Sequence, residues 1–160
     1  MSRSDRERGK MDIAAYITGF TEGEGCFCVS FNFRQKLNTG IEVRPSFSIS
    51  QHKRNLEVLK KVESFFQCGG IRYSKRDQNY KYEVRGIDDL HHVIIPHFKQ
   101  YRLIGAKAID FDKFAEICEM VRTNHHRNPK HLSEIIEIAY EINHGHRKFD
   151  KNKLLQHLAR

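Results

Sequence analysis

The sequence predicts an α+β fold: a four-stranded antiparallel sheet with helices on one face and extra helices toward its C-terminal end. Three observations lead there. Apolar residues recur at helical spacing over residues 13–23 and again over 55–66. Each of these stretches is followed by two short runs of strict alternation, the pattern of a hairpin. From residue 88 onward only helical periodicity is left, so the order is α-β-β-α-β-β followed by helices.

Asp12 can cap a helix from Ile13 to about Gly23, with Ile13, Tyr16, Ile17 and Phe20 as its apolar face. Ala15, Gly19 and Gly23 stand four apart along it. From Phe27 to Arg34, Phe27, Val29, Phe31 and Phe33 alternate with Cys28, Ser30, Asn32 and Arg34, which reads as a half-buried strand. After Asn38-Thr39-Gly40, a run from Glu42 to Ser50 sets Val43, Phe47 and Ile49 against Arg44, Ser46, Ser48 and Ser50. Asn55 can open a second helix, with Leu56, Leu59, Val62, Phe65 and Phe66 along one side and a stop at Gly69-Gly70. In a shorter hairpin Ile71 and Tyr73 oppose Arg72, Ser74 and Arg76. Past a turn at Asp77-Gln78-Asn79, Tyr80, Tyr82 and Val84 oppose Lys81, Glu83 and Arg85. Helices are predicted from Asp88 to about Phe98, from about Ala106 to Arg122, from Leu132 to about Asn143, and from Asp150 onward. A length of 160 residues suits one domain over 1–160, with a core over about 12–122 and a helical extension over about 123–160.

The balance of charge narrows the partner. Lys and Arg number 28 against 20 Asp and Glu, a net charge of +8 with neutral His, which favours a polyanion. Cys26 and Cys28 form a C-x-C pair while Cys68 and Cys118 stand alone, matching neither a disulfide framework nor the usual zinc spacings. Reduced thiols in a cytosol-like compartment are the simpler account. The first ten residues, MSRSDRERGK, are charged and polar with no apolar stretch behind them, so neither a secretory signal nor a membrane span is expected. That points to an intracellular protein, whether of a bacterial cytoplasm or of an organelle.

With helices on one face, the other face of the sheet is left to solvent or a ligand. Its predicted side chains are Cys28, Ser30, Asn32, Arg34, Lys36, Arg44, Ser46, Ser48, Arg72, Ser74, Arg76 and Lys81, with Glu83 as the one acid. Such a donor-rich surface suits contacts to base edges and phosphates of double-stranded DNA. A ten-residue strand spans about 33 Å, comparable to about ten base pairs. Each protomer would therefore cover about one half-site.

The stretch Ile17-Thr18-Gly19-Phe20-Thr21-Glu22-Gly23-Glu24-Gly25 crowds two acids and three glycines at the end of a helix. Carboxylates oppose the macrodipole there unless a cation or another partner compensates. The small residues Ala15, Gly19 and Gly23 let the helix approach a second backbone closely. Two such helices crossing at a dimer axis would bring two Glu24 side chains together, and a hard cation such as Mg²⁺ relieves their repulsion. The same ion activates water and stabilises charge on a scissile phosphate.

Ile17 to Gly25, flanked by Tyr16 and by Cys26-Phe27, resembles the signature of LAGLIDADG homing endonucleases, over about residues 12–122. The resemblance implies an αββαββα core on a saddle-like sheet. It also implies that Glu24 is the catalytic, metal-binding carboxylate, in place of the commoner Asp, with the Gly23 carbonyl close to the metal. Gln51, after Phe47-Ser48-Ile49-Ser50, matches the polar residue that positions water near the cut. Leu103-Ile104-Gly105-Ala106-Lys107 resembles the segment carrying a basic residue beside the site, which makes Lys107 the candidate; Ala106 stands where a second basic residue is usual. The single motif implies a homodimer packed through Ala15, Tyr16, Gly19, Phe20 and Gly23. It further implies an intron-encoded nuclease that uses Mg²⁺ or Mn²⁺, with Ca²⁺ able to occupy the site without supporting cleavage. The expected product is a double-strand cut with short 3′ overhangs in a near-palindromic site. An RNA-splicing maturase bound to intron RNA, or a non-catalytic DNA-binding regulator, is the alternative on the same fold.

Overall fold

A computed structural model describes residues 9–160; residues 1–8, which carry most of the charged segment read above, lie outside the described residues. Helix α1 (Ile13–Glu24) opens on Asp12, whose carboxylate accepts from the Ala14 and Ala15 N–H groups. Strands β1 (Gly25–Phe33) and β2 (Ile41–His52) form the long hairpin. A 3₁₀ turn, Lys53–Asn55, leads into α2 (Leu56–Phe66), followed by β3 (Gly70–Ser74) and β4 (Asn79–Val84). A short α-turn Ile87–Asp89, a π-turn Leu90–Ile94 and α3 (Ile95–Gln100) then run on from one another. Pro96, with no N–H to return to the preceding turn, accounts for the break in regular α-bonding there. The long α4 (Ala106–Arg122), a 3₁₀ turn His125–Arg127, α5 (Pro129–Ala139) and α6 (Lys151–Leu158) complete the order.

All four strands pair antiparallel in the order β1-β2-β4-β3. One face carries the core. Phe27, Val29, Phe47, Ile49, Tyr82 and Val84 are fully buried against Ile17 of α1, Leu59 and Val62 of α2, Phe98 of α3 and Phe114 and Ile117 of α4. Phe27 sits at the centre, with ring centroids 5.2–5.3 Å from Phe47, Phe98, Phe111 and Phe114. Four residues expected on apolar faces are exposed instead: Tyr16, Tyr73, Phe33 and Phe65. Phe33 is half-covered by Phe149 and His157 at the end of β1, and Phe65, one position around the helix from buried Phe66, lies beside His97.

The segment after α5 settles against the free edge of β1. Asn143 donates to the Phe27 carbonyl, and Arg147 donates to Val29 O at 2.9 Å and to Ile142 O at 2.7 Å while lying over the Tyr140 ring. These side chains satisfy carbonyls that an edge strand would otherwise offer to another chain. The extension therefore packs on the sheet and leaves the face opposite the helices open.

Candidate active site

Helix α1 passes directly into β1, and only glycine permits it. A Cβ on Gly25 would stand 2.5 Å from Thr21 Cγ2 and 2.9 Å from Thr21 O. The abrupt join brings both motif acids to the sheet edge, but their fates differ. Glu22 Oε2 accepts from the N–H groups of Ile104 (3.2 Å) and Gly105 (2.9 Å), at the start of α4. The positive end of α4 therefore compensates the Glu22 carboxylate. The sequence leaves a cation or another partner to compensate these acids; for Glu22 the partner is a helix N-terminus.

Glu24 is exposed and turns toward β2. Gln51, near the end of that strand, donates from Nε2 to Glu24 Oε2 at 3.0 Å, and Asn55 Nδ2 donates to Gln51 Oε1 at 3.0 Å. Lys107, in the first turn of α4, donates from Nζ to the carbonyls of Thr21 (2.9 Å) and Gly25 (2.5 Å). The lysine thus lies beside the motif and caps the negative end of α1. The donor set suits a hard divalent ion. Glu24 supplies an exposed carboxylate and the last turn of α1 supplies main-chain oxygens, with no thiol or imidazole among them. Among the described residues, no three His, Cys, Asp or Glu side chains are grouped to hold a metal.

The exposed stripe of α1 comprises Ala15, Tyr16, Gly19 and Gly23, with Phe20 half-buried and stacked on Tyr16 at 5.9 Å. A Cβ on Gly19 or Gly23 would meet nothing within 4 Å. Nothing in this protomer requires glycine at either place.

Strand register resolves the open face into rows. Cys26, Ser48, Glu83 and Gly70 align, as do Ser50, Lys81 and Arg72; farther along the long hairpin come Cys28 with Ser46, Ser30 with Arg44, and Asn32 with Glu42. The face therefore holds a second acid. Glu42 shares the parity of Arg44 and binds Arg34 at 2.7 Å. Glu83 is the hub of a cluster with Arg72 (2.7 Å), Arg85 (3.0 Å) and Lys81 (3.3 Å), its side chain 7% exposed. Burial alone would raise its carboxyl, but attraction from Lys81 and bonding from Arg85 hold it below the usual carboxylate range. Burial pushes the nearby Cys26 thiol up, and Cys28 beside it adds to this, so Cys26 presents a neutral group. Lys36 and Arg76 lie in the hairpin turns rather than in strands, Arg34 just past the end of β1, and Ser48 is only 6% exposed between its neighbours.

A family profile described as LAGLIDADG endonuclease matches residues 17–118. The chain belongs to the LAGLIDADG endonuclease family. Its fold is shared with solved LAGLIDADG structures: the homing endonuclease I-TnaI, at 33% identity and a TM-score of 0.80, covers 91% of this chain with 95% of its own. The archaeal intron-encoded homing endonuclease I-Vdi141I, solved in complex with DNA, matches at 30% identity and a TM-score of 0.84, over 92% of this chain and 94% of that one. A probable intron-encoded DNA endonuclease of Mycosarcoma maydis is 34% identical over 133 residues, 83% of this chain. The chain spans 47% of that relative's length. No helix among the described residues is long and apolar enough to cross a membrane.

Within the LAGLIDADG frame, three residues near the site were not anticipated. Glu42 was readable from its parity with Arg44. Asn55 was read as a helix cap, and no sequence pattern signals its bond to Gln51. Lys148 donates to Asn32 Oδ1 at 2.9 Å and so adds a cation to the margin of the open face, across 116 residues of sequence.

Proposed function

We propose that this chain is a site-specific homing endonuclease that dimerises through α1 and makes a double-strand cut in a long, near-palindromic DNA site. The observation that carries this reading is the end of α1: an exposed Glu24 tied to Gln51, on a helix whose small-residue stripe faces outward. Crossing two α1 helices at that stripe brings two Glu24 carboxylates and two Gly23 carbonyls to one axis. A bound Mg²⁺ or Mn²⁺ would supply charge stabilisation at the scissile phosphate and a water of lowered pKa. Glu24 would hold that ion and Gln51 would orient the attacking water, while Lys107 steadies the end of α1 from which Glu24 projects. The open face binds the duplex. Arg44, Arg72, Arg85 and Lys81 reach base edges or phosphates, with Ser30, Asn32, Ser46 and Ser74 as neutral donors and acceptors. Retention of an acid that would face phosphate favours a nuclease over a binding protein that has lost cleavage.

The test is to sequence the ends left when purified protein meets a plasmid library of candidate intron-insertion sites, with Mg²⁺ or with EDTA. Metal-dependent double-strand ends with short 3′ overhangs at one near-palindromic site are expected. Site-specific binding without any cut, by folded and dimeric protein, would replace this reading with a regulator; tight binding to structured intron RNA instead would replace it with a maturase.

A further inference from the structure

Asn55 occupies the N-cap position of α2, where an asparagine side chain ordinarily accepts a bond from the next turn's N–H groups. Here it makes no capping bond. The preceding 3₁₀ turn Lys53–Asn55 is capped by His52, and Asn55 ends it with φ −104° and ψ 18°. Its side chain turns away from its own helix toward the end of β2, where Nδ2 donates to Gln51 Oε1 at 3.0 Å. Gln51 Nε2 in turn donates to Glu24 Oε2 at 3.0 Å. A local preference given up at a site margin is a sign that the residue serves the site.

The chain of bonds has a direction. An ionised carboxylate only accepts, so Gln51 can meet Glu24 solely through its NH₂ group. Its carbonyl then points the other way and needs a donor, which Asn55 supplies. Left alone, the Gln51 amide has two orientations of nearly equal shape, differing in whether nitrogen or oxygen faces Glu24. A donor at position 55 selects the first; an acceptor there selects the second and sets oxygen against oxygen.

We infer that Asn55 is a positioning residue of the active site, fixing the Gln51 amide so that its NH₂ group faces Glu24. This rests on the nuclease reading given above for its consequence in the reaction, and on the free protein alone for the orientation itself. Misplacement of a positioning group lowers the rate of the chemical step rather than the affinity for substrate.

The experiment uses Asn55→Ala, which removes the donor without adding charge, Asn55→Asp, which puts an acceptor in its place, and each combined with Gln51→Ala. In the DNA-free, metal-free protein with ¹⁵N-labelled glutamine side chains, the NH₂ resonances absent from Gln51→Ala identify Gln51. They are expected to shift in Asn55→Asp and to move to solvent-like values in Asn55→Ala. With saturating protein, the single-turnover cleavage rate should fall about tenfold in Asn55→Ala and about a hundredfold in Asn55→Asp, at unchanged Kd for DNA. Each double variant should be no slower than Gln51→Ala alone. Thermal midpoints should hold, since no capping bond is lost. Unmoved Gln51 resonances and unchanged rates in both single variants would overturn the inference, and so would additive losses in the double variants. Resonances that follow residue 55 in a protein that cuts no DNA would uphold the orientation and overturn the nuclease reading.

Discussion

Two glutamates separated by a single glycine have opposite tasks, and the difference lies in what each meets. Glu22 meets the N–H groups of Ile104 and Gly105, whereas Glu24 meets an amide and solvent. Glu24→Gln keeps the shape and loses the charge; it is expected to abolish cleavage while DNA affinity stays within about twofold, and full activity would remove Glu24 from the metal site. Glu22→Ala leaves two N–H groups at the start of α4 without their acceptor. Both N–H groups are open to solvent, so the loss in urea titration should be about 0.3–1 kcal/mol, with Glu22→Gln losing less. His97 is a further residue with a separable signature. Its ring is buried among Phe65, Phe66, Phe98 and Tyr101, and its Nε2 bonds Thr18 Oγ1 at 3.1 Å. Burial pushes its pKa down to about 4. An unfolded histidine titrates near 6.5, so between those values the unfolded chain holds more protons. Stability from neutral His97 is therefore complete above about pH 6.5 and is lost as pH falls toward 4, by on the order of 3 kcal/mol. The urea midpoint should drop across that window more steeply than in His97→Gln; parallel curves would exclude this role.

At the scale of elements, α1 and β1 behave as one piece. Gly25 joins them without a loop, Lys107 holds the carbonyls at the junction, and Phe27 drives the strand into the aromatic core. The far edge of β1 depends on the segment after α5 instead. Arg147 bonds the carbonyls of Val29, Ala139 and Ile142; Ala139 O keeps the Ile142 N–H, so Arg147→Ala takes the side-chain donor from the half-buried carbonyls of Val29 and Ile142. A loss of about 2–3 kcal/mol is expected, together with faster amide exchange in α5 and in the 143–149 segment. Unchanged exchange there would mean that the segment holds to β1 by its apolar contacts, Tyr140 and Phe149, without help from Arg147. The same segment brings Lys148 to Asn32, so an element that looks auxiliary in sequence borders the proposed DNA surface.

For the whole molecule, assembly through α1 turns on Gly19. Its missing side chain would meet nothing within the protomer, so Gly19→Leu should fold at least as well as the parent, leucine being the better helix former. If α1 is the dimer contact, the variant sediments as a folded monomer; a dimer of parental affinity would move the contact elsewhere. Binding to duplex DNA should weaken linearly in log Kd against log salt, and a dimer engages twice the phosphates of one protomer. The monomeric variant should therefore show about half the parental slope.

Hydrophobic period and capping chemistry determined the four strands, the helices α1, α2 and α4, the inward faces of β1 and β4, and the motif with its outward acid. Each of those features is a local property, set by residues within a turn or a strand of one another. Parity also places Glu42 on the face of Arg44. Tertiary structure alone decided where the polar side chains found partners. Glu22 reaches Gly105 across 83 residues, Lys107 reaches Thr21 across 86 and Asn143 reaches Phe27 across 116. Asn55 had two uses open to it, the N-cap of its own helix and the amide of Gln51, and the geometry at the end of β2 chose the second. Periodicity records which side of an element is buried. A hydrogen bond depends on which donor and acceptor the packed core brings within about 3 Å, and no local pattern carries that information.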